Sequence, residues 1–245
     1  MSVIGNTSLA FSEEQAMLLD VAREFCRDRS PIEVVREQLE TETGFDPALW
    51  QEMVDLGWAG IALPEAYGGA GLDIASVVPV VESMGRAMLG TPLISSTLAA
   101  QLILRAGNSE QKERLLPPIA AGTPATVGLL EQGDWGASAP ACTLDANGLL
   151  GGSKQMVCDA GVAQCFVVSV MGTEGPALAV LGADQVAASR QEHVLIDQTR
   201  RAATIDLNGL TVTPENILSG PAVETALRDV YLLGALLIAA EATGR

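Results

Sequence analysis

"IAAGTPATVGLLE", residues 119–131, is where one periodicity of the chain stops and another begins. Before it, apolar residues recur three and four positions apart between capping signals, as amphipathic helices require. After Gly122 they come in short runs rich in Val, Leu and Ile. The spacing therefore predicts helical structure up to residue 122 and a β-domain beyond it.

On the N-terminal side, Ser12 is a good N-cap and Gln15 completes a capping box. Leu18, Val21, Ala22 and Phe25 then follow at helical spacing until Pro31 stops the run. "IEVVREQLE" reads as a short second helix, and Asp46-Pro47 opens a third that Gly57 ends. Asp73 starts another, with Pro79 predicting a kink inside it. Thr91-Pro92 starts the next, and Asn108 with Gln111 repeats the capping box. In "LPEAYGGAGLD" (63–73), Gly68, Gly69 and Gly71 fit neither GxGxxG nor a Walker loop. They are expected to permit a tight backbone turn, with Tyr67 packed against it.

On the C-terminal side, "QCFVVSV", "ALAVLGA" and "ATIDL" read as strands. Asn147-Gly148 and Asn208-Gly209 have the chemistry of hairpin turns, so an antiparallel barrel or sandwich is expected over 123–219. From Pro221 a helix is expected to run to Arg245. It is apolar on every side from Val230 to Ala240, so it should be buried all round beneath a partner or further chain.

The 245 residues carry 14 Lys and Arg against 30 Asp and Glu, a net charge of −16. Such a surface repels nucleic acid and anionic lipid, and neither is expected as a partner. The longest apolar run, 230–240, is far short of the ~20 residues of a membrane span. No secretory signal opens the chain, which points to the cytoplasm. Cys26, Cys142, Cys158 and Cys165 form no CxxC pair, the pattern of reduced, buried core thiols. With His193 as the single histidine, neither a His-rich metal site nor a Ser-His-Asp triad is expected. Among the charges, Lys154 reads as a solvated strand lysine or a contact to an anionic ligand, and Glu131 with Asp134 as surface carboxylates. Asp197, Arg200 and Arg201 read as a structural ion pair or a phosphate contact.

Five segments, in order, carry a resemblance. "FSEEQAMLLDVAREF" looks like the opening helix of the acyl-CoA dehydrogenase family, and "LGWAGIALPEAYGGAGLD" is similar to its LPEEYGGxG landmark. "AGNSEQKERLLPPIAAGTPATVGLLE", "GGSKQMVCDAGVAQCFVV" and "DQTRRAATIDLNGLTVTPENIL" resemble later passages of the same family. The resemblance implies a helical domain (1–122), a middle β-domain (123–219), and the first helix of a truncated C-terminal helical domain (220–245).

It also implies α,β-dehydrogenation of an acyl-CoA thioester. A carboxylate base takes the α-proton and the β-hydrogen leaves as hydride to FAD. The flavin segments fall on Leu129, Leu130 and Ser138, and on Met156, Val157 and Cys158. Leu130 and Cys158 stand where the family has threonines, so the hold on FAD is weakened or lost. The family's catalytic glutamate lies beyond Arg245 or, in another branch, at the position of Gly234. No catalytic residue is therefore assigned, and Glu241, seven residues on, reads as a solvated or structural charge. The implied partners are an acyl-CoA substrate, a second acyl-CoA dehydrogenase chain in a homo- or hetero-oligomer, and an electron-transfer flavoprotein. Two functions follow: a flavin-dependent dehydrogenase that needs a partner chain or further helical domain, or a non-catalytic subunit of a heteromeric one.

Overall fold

Side-chain caps set where the helices begin. The computed structural model describes residues 12–131 and 139–244. In α1 (Glu13–Arg29), the Gln15 N–H donates to Ser12 Oγ at 3.2 Å and the Ser12 N–H to Gln15 Oε1 at 3.1 Å. In α6 (Ser109–Ala120), Asn108 and Gln111 make the same reciprocal pair at 2.9 and 3.0 Å. Between them lie α2 (Ile32–Leu39), α3 (Pro47–Asp55), α4 (Val78–Arg86) and α5 (Leu93–Ala106).

Pro79 does not kink a continuous helix. Residues Ile74–Val77 form a 3-10 turn capped by Asp73, and α4 begins at Val78. Pro79 thus sits in the first helical turn, where its missing N–H leaves no bond unmade. In the 63–73 loop, the Gly71 N–H donates to the Leu63 carbonyl at 2.8 Å, and Gly71 has φ +70°. A Cβ on Gly69 would lie 2.1 Å from the Leu63 oxygen, so only glycine fits that corner. The glycine cluster has the structural role its sequence suggests.

Among the described residues the β region forms two sheets. The larger orders β3 (Leu150–Gly151), β2 (Thr143–Leu144), β5 (Cys165–Gly172), β6 (Gly175–Gly182) and β9 (Ile217–Leu218), with β1 (Ala125–Gly128) also paired to β5. The smaller orders β4 (Ser153–Cys158), β8 (Ala202–Asp206) and β7 (Arg190–Glu192). The expected sandwich is present, but its main sheet is mixed: β1 and β2 both run parallel to β5. Asn147-Gly148 does turn the β2–β3 hairpin, with Gly148 at φ +80°. Asn208-Gly209 instead swings the chain from β8 onto β3, where the Leu150 N–H donates to the Leu210 carbonyl at 2.9 Å.

Alternation along β5 explains its continuous apolar run. Val167 faces the helical core, while Phe166, Val168 and Val170 face the core between the sheets. The sheet is buried on both faces, so its strands carry no polar stripe. A four-residue α7 (Ala183–Val186) follows β6, and α8 (Ala222–Gly244) closes the described chain.

This chain itself covers one face of α8 and leaves open the face expected to lie beneath a partner or further chain. Val223, Ala226, Val230, Leu233 and Leu237 pack into the helical core, but Tyr231, Leu232, Leu236 and Ile238 are 49–61% exposed. No helix among the described residues is long and apolar enough to cross a membrane.

Candidate functional site

A cleft of about 570 Å³ opens between the β-sheets, α5 and α8. Leu129 and Leu130 follow β1 into its wall, and Gln155, Met156 and Cys158 enter from β4. Ile94 and Leu98 come from α5; Val230, Gly234 and Ile238 come from α8. An antiparallel bridge between Leu130 and Gln155 holds two of these walls together, the Gln155 N–H donating to the Leu130 carbonyl at 2.8 Å. The β4–β8 register slips between Lys154 and Val157, and Met156 at that bulge has φ +50°. For an unbranched non-glycine residue this is a strained conformation, held in place by its surroundings.

The sequence-assigned residues divide. Leu129, Leu130, Met156 and Cys158 share the cleft. Val157 does not line it; the alternation of β4 sends its side chain, fully buried, into the core between the sheets. Ser138 lies outside the described residues, as does Asp134. Of the four thiols expected in the core, Cys26 and Cys142 are buried and Cys165 is half-buried, but Cys158 is exposed on the cleft wall. Neither reading of Lys154 holds. Its side chain is fully buried, ion-paired to Glu131 and donating to Ser169 Oγ at 3.0 Å. Glu131 also accepts the N–H groups of Ala141 at 2.7 Å and Cys142 at 3.2 Å. Burial alone would raise the Glu131 pKa; the bonds from Lys154 and these two N–H groups outweigh it and hold the carboxyl below its ordinary value.

A polar cluster fills one end of the cleft, drawn from four separate segments. Arg200 pairs with Glu241 of α8, and Ser95 of α5 donates to Asp159 Oδ2 at 2.6 Å. Asp197 Oδ1 accepts the Thr199 N–H at 3.0 Å and its hydroxyl at 2.6 Å. Burial raises the Asp159 pKa, opposed by the Ser95 bond and the nearby Arg200 charge. Arg201 turns away to the Leu39 and Thr41 carbonyls, at 3.0 and 2.9 Å. The sequence reading missed Ser95 and Asp159. The only local signal was the turn chemistry of "CDAG", where Asp159 adopts φ +55°. Gly234 leaves the α8 side of the cleft wide: a Cβ there would meet nothing nearer than Leu98 Cδ1 at 3.5 Å.

An isoalloxazine ring needs apolar surface for its faces and hydrogen-bond partners along its pyrimidine edge. The cleft supplies the first. At the two positions that the resemblance assigns to edge contacts, Leu130 has no polar side-chain atom and Cys158 offers only a weak S–H donor. Thr126, also in the cleft, spends its hydroxyl on the Cys158 carbonyl at 2.6 Å. These side chains fit a flat apolar group and do not fit the flavin's hydrogen-bonding edge. Among the described residues no group of His, Cys, Asp and Glu could hold a metal.

Comparison with known proteins agrees with this architecture. Residues 12–123 match the family model "Acyl-CoA dehydrogenase, N-terminal domain". The acyl-CoA dehydrogenase IpdE2 of Mycolicibacterium smegmatis is 35% identical over 113 residues, 46% of this chain and 36% of its own length. The short-chain-specific acyl-CoA dehydrogenase of Clostridium acetobutylicum is 30% identical over 177 residues, 67% of this chain and 46% of its own. A solved structure, the Tcur3481-Tcur3483 steroid ACAD, superposes with a TM-score of 0.81 at 31% identity, covering 94% of this chain and 62% of that one. The chain thus spans less than half the length of these two curated relatives. From the capped first helix through the two sheets to α8, the chain belongs to the acyl-CoA dehydrogenase family.

Proposed function

We propose that this chain is a subunit of an acyl-CoA dehydrogenase assembly, in which it forms one wall of the acyl-group cleft. The base comes from outside the described residues, on a partner acyl-CoA dehydrogenase chain or a further helical segment. The observation that carries this reading is the state of the cleft's carboxylates. An α-C–H beside a thioester is a weak acid, so its removal needs a desolvated carboxylate free to accept a proton. Asp197 is held by Thr199 and Glu241 by Arg200; burial raises the proton affinity of Asp159, but the Ser95 hydroxyl bonded to it and the Arg200 charge oppose that. At Gly234, where one branch of the family places its glutamate, there is no side chain at all.

FAD is the family's hydride acceptor. The misfit of Leu130 and Cys158 supports an arrangement in which this chain binds it weakly or leaves it to the partner. The same misfit favours the second reading, a subunit with no catalytic part that completes a paralogous chain. The assembly would act in the cytoplasm and pass electrons to an electron-transfer flavoprotein. The resemblance to a steroid acyl-CoA dehydrogenase makes a bulky acyl group a reasonable substrate.

The test is to purify the chain alone and together with neighbouring gene products, and to record visible spectra before and after adding acyl-CoA. A colourless chain that gives a yellow, substrate-bleached complex only with its partner is the expected result. Flavin bound and bleached in the isolated chain would overturn the proposal.

A further inference from the structure

We infer that the cleft selects acyl groups whose far end is uncharged, and that Asp197 and Glu241 are the residues that reject a terminal carboxylate. The inference rests on the reading of the cleft as an acyl-group site and adds its chemical selectivity.

Among the described residues, the carboxyl and guanidinium groups lining the cleft are Asp159, Asp197 and Glu241 against the cation Arg200, gathered by the Arg200–Glu241 pair and by the Arg200 charge near Asp159. Arg200 is already paired with Glu241, and both side chains are largely withdrawn from solvent, at 20% and 11% exposure. An anion arriving there meets a guanidinium that is engaged and carboxylates that repel it. In a partly desolvated site such repulsion is felt more strongly than in water. The chain's net charge of −16 adds to the penalty.

The phosphates of a CoA thioester cannot lie at this end for the same reason. The thioester then belongs away from this end, toward the Leu130–Gln155 bridge, with the acyl tail pointing toward Asp197 and Glu241. A methyl or hydroxyl terminus is tolerated there: the hydroxyl can donate to a carboxylate, and the methyl meets Ile238 and Ala242. Room for a broad tail comes from Gly234, where even a Cβ would keep 3.5 Å from Leu98.

Cys158 supplies a reporter, because it is exposed and lines the cleft. The full chain, with its partner if one co-purifies, is alkylated with N-ethylmaleimide. The rate at Cys158 is read by peptide mass spectrometry under increasing decanoyl-CoA, ω-hydroxydecanoyl-CoA or ω-carboxydecanoyl-CoA, the last being the thioester of the C11 dioic acid. Decanoyl-CoA and the hydroxy compound are expected to protect. The carboxylate is expected to protect about tenfold or more weakly. Glu241→Gln, which frees Arg200, and Asp197→Asn should each narrow that gap. Equal protection by all three ligands, or a gap unchanged in both variants, would overturn the inference. If none protects Cys158, the acyl-site reading itself fails and takes the inference with it.

Discussion

Gly85 of α4 lies directly beneath the backbone carbonyl of Glu241 in α8; a Cβ on Gly85 would sit 2.0 Å from that oxygen. Near the helix end the contact recurs in reverse, where a Cβ on Gly244 would sit 2.0 Å from the Glu82 oxygen. The two helices thus touch backbone to backbone through one glycine each. The side chain of Glu241, one turn from Gly244, reaches Arg200 at the cleft. The position of the cleft's acidic end is therefore set by glycine packing on the opposite side of α8.

Alanine substitutions should separate these glycines from Gly234. Gly85→Ala must push α8 away and is expected to destabilise by about 1–3 kcal/mol, the usual range for overpacking. Gly234→Ala has the space it needs and should stabilise by up to about 1 kcal/mol, the helix-interior preference for Ala over Gly. Urea unfolding of the two variants beside the parent protein measures both signs.

The Lys154–Glu131 pair yields a second prediction. Lys154→Met leaves a carboxylate that is largely buried without its cation and should cost about 3–5 kcal/mol. Adding Glu131→Gln removes the stranded charge while keeping an oxygen for the Ala141 N–H, so the double variant should recover more than half of that loss. Equal stability of single and double variants in denaturant titrations would contradict the pairing.

The sign of the pH dependence follows from the same residue. Glu131 has a folded-state pKa below its ordinary value of 4.5. Its contribution is fully present well above 4.5 and is lost as pH falls from there through the folded-state value. Asp159 has the opposite shift, raised above 3.8, so its contribution declines as pH rises from 3.8 through the raised value. Relative to the parent, Glu131→Gln should flatten the acid limb of a stability profile, and Asp159→Asn should remove the decline toward higher pH.

Restoring the hydroxyls at the cleft wall tests the flavin assignment. Leu130→Thr and Cys158→Thr each return one side-chain hydrogen bond of about 0.5–1.5 kcal/mol. Each is expected to tighten FAD binding by about 2- to 10-fold in a fluorescence-quenching titration. No change in either variant would mean that these positions do not face the flavin edge.

What the sequence disclosed depends on the range of the interaction responsible. Caps such as Ser12–Gln15 act over three residues, and the helix starts were readable from them. Strand direction was not. A short apolar run such as "ATVG" pairs equally well either way, and the parallel pairing of β1 with β5, whose residues lie 40 positions apart, has no local signal. Lys154 looked solvated because its partner is 23 positions away. The polar end of the cleft was hidden for the same reason: Ser95, Asp159, Arg200 and Glu241 meet only after α5, the end of β4, the segment before β8 and α8 have packed. By contrast, Leu129, Leu130, Met156 and Cys158 could be grouped in advance, because the resemblance carried their order.

The dual burial of β5 has a consequence for unfolding. Val167 is a shareholder in one interior and its neighbours Phe166 and Val168 in the other, on a single rigid ribbon. Neither interior can melt without stripping a face from the strand that the other requires. Heat should therefore take the helical and β portions apart together, in a single sharp calorimetric peak.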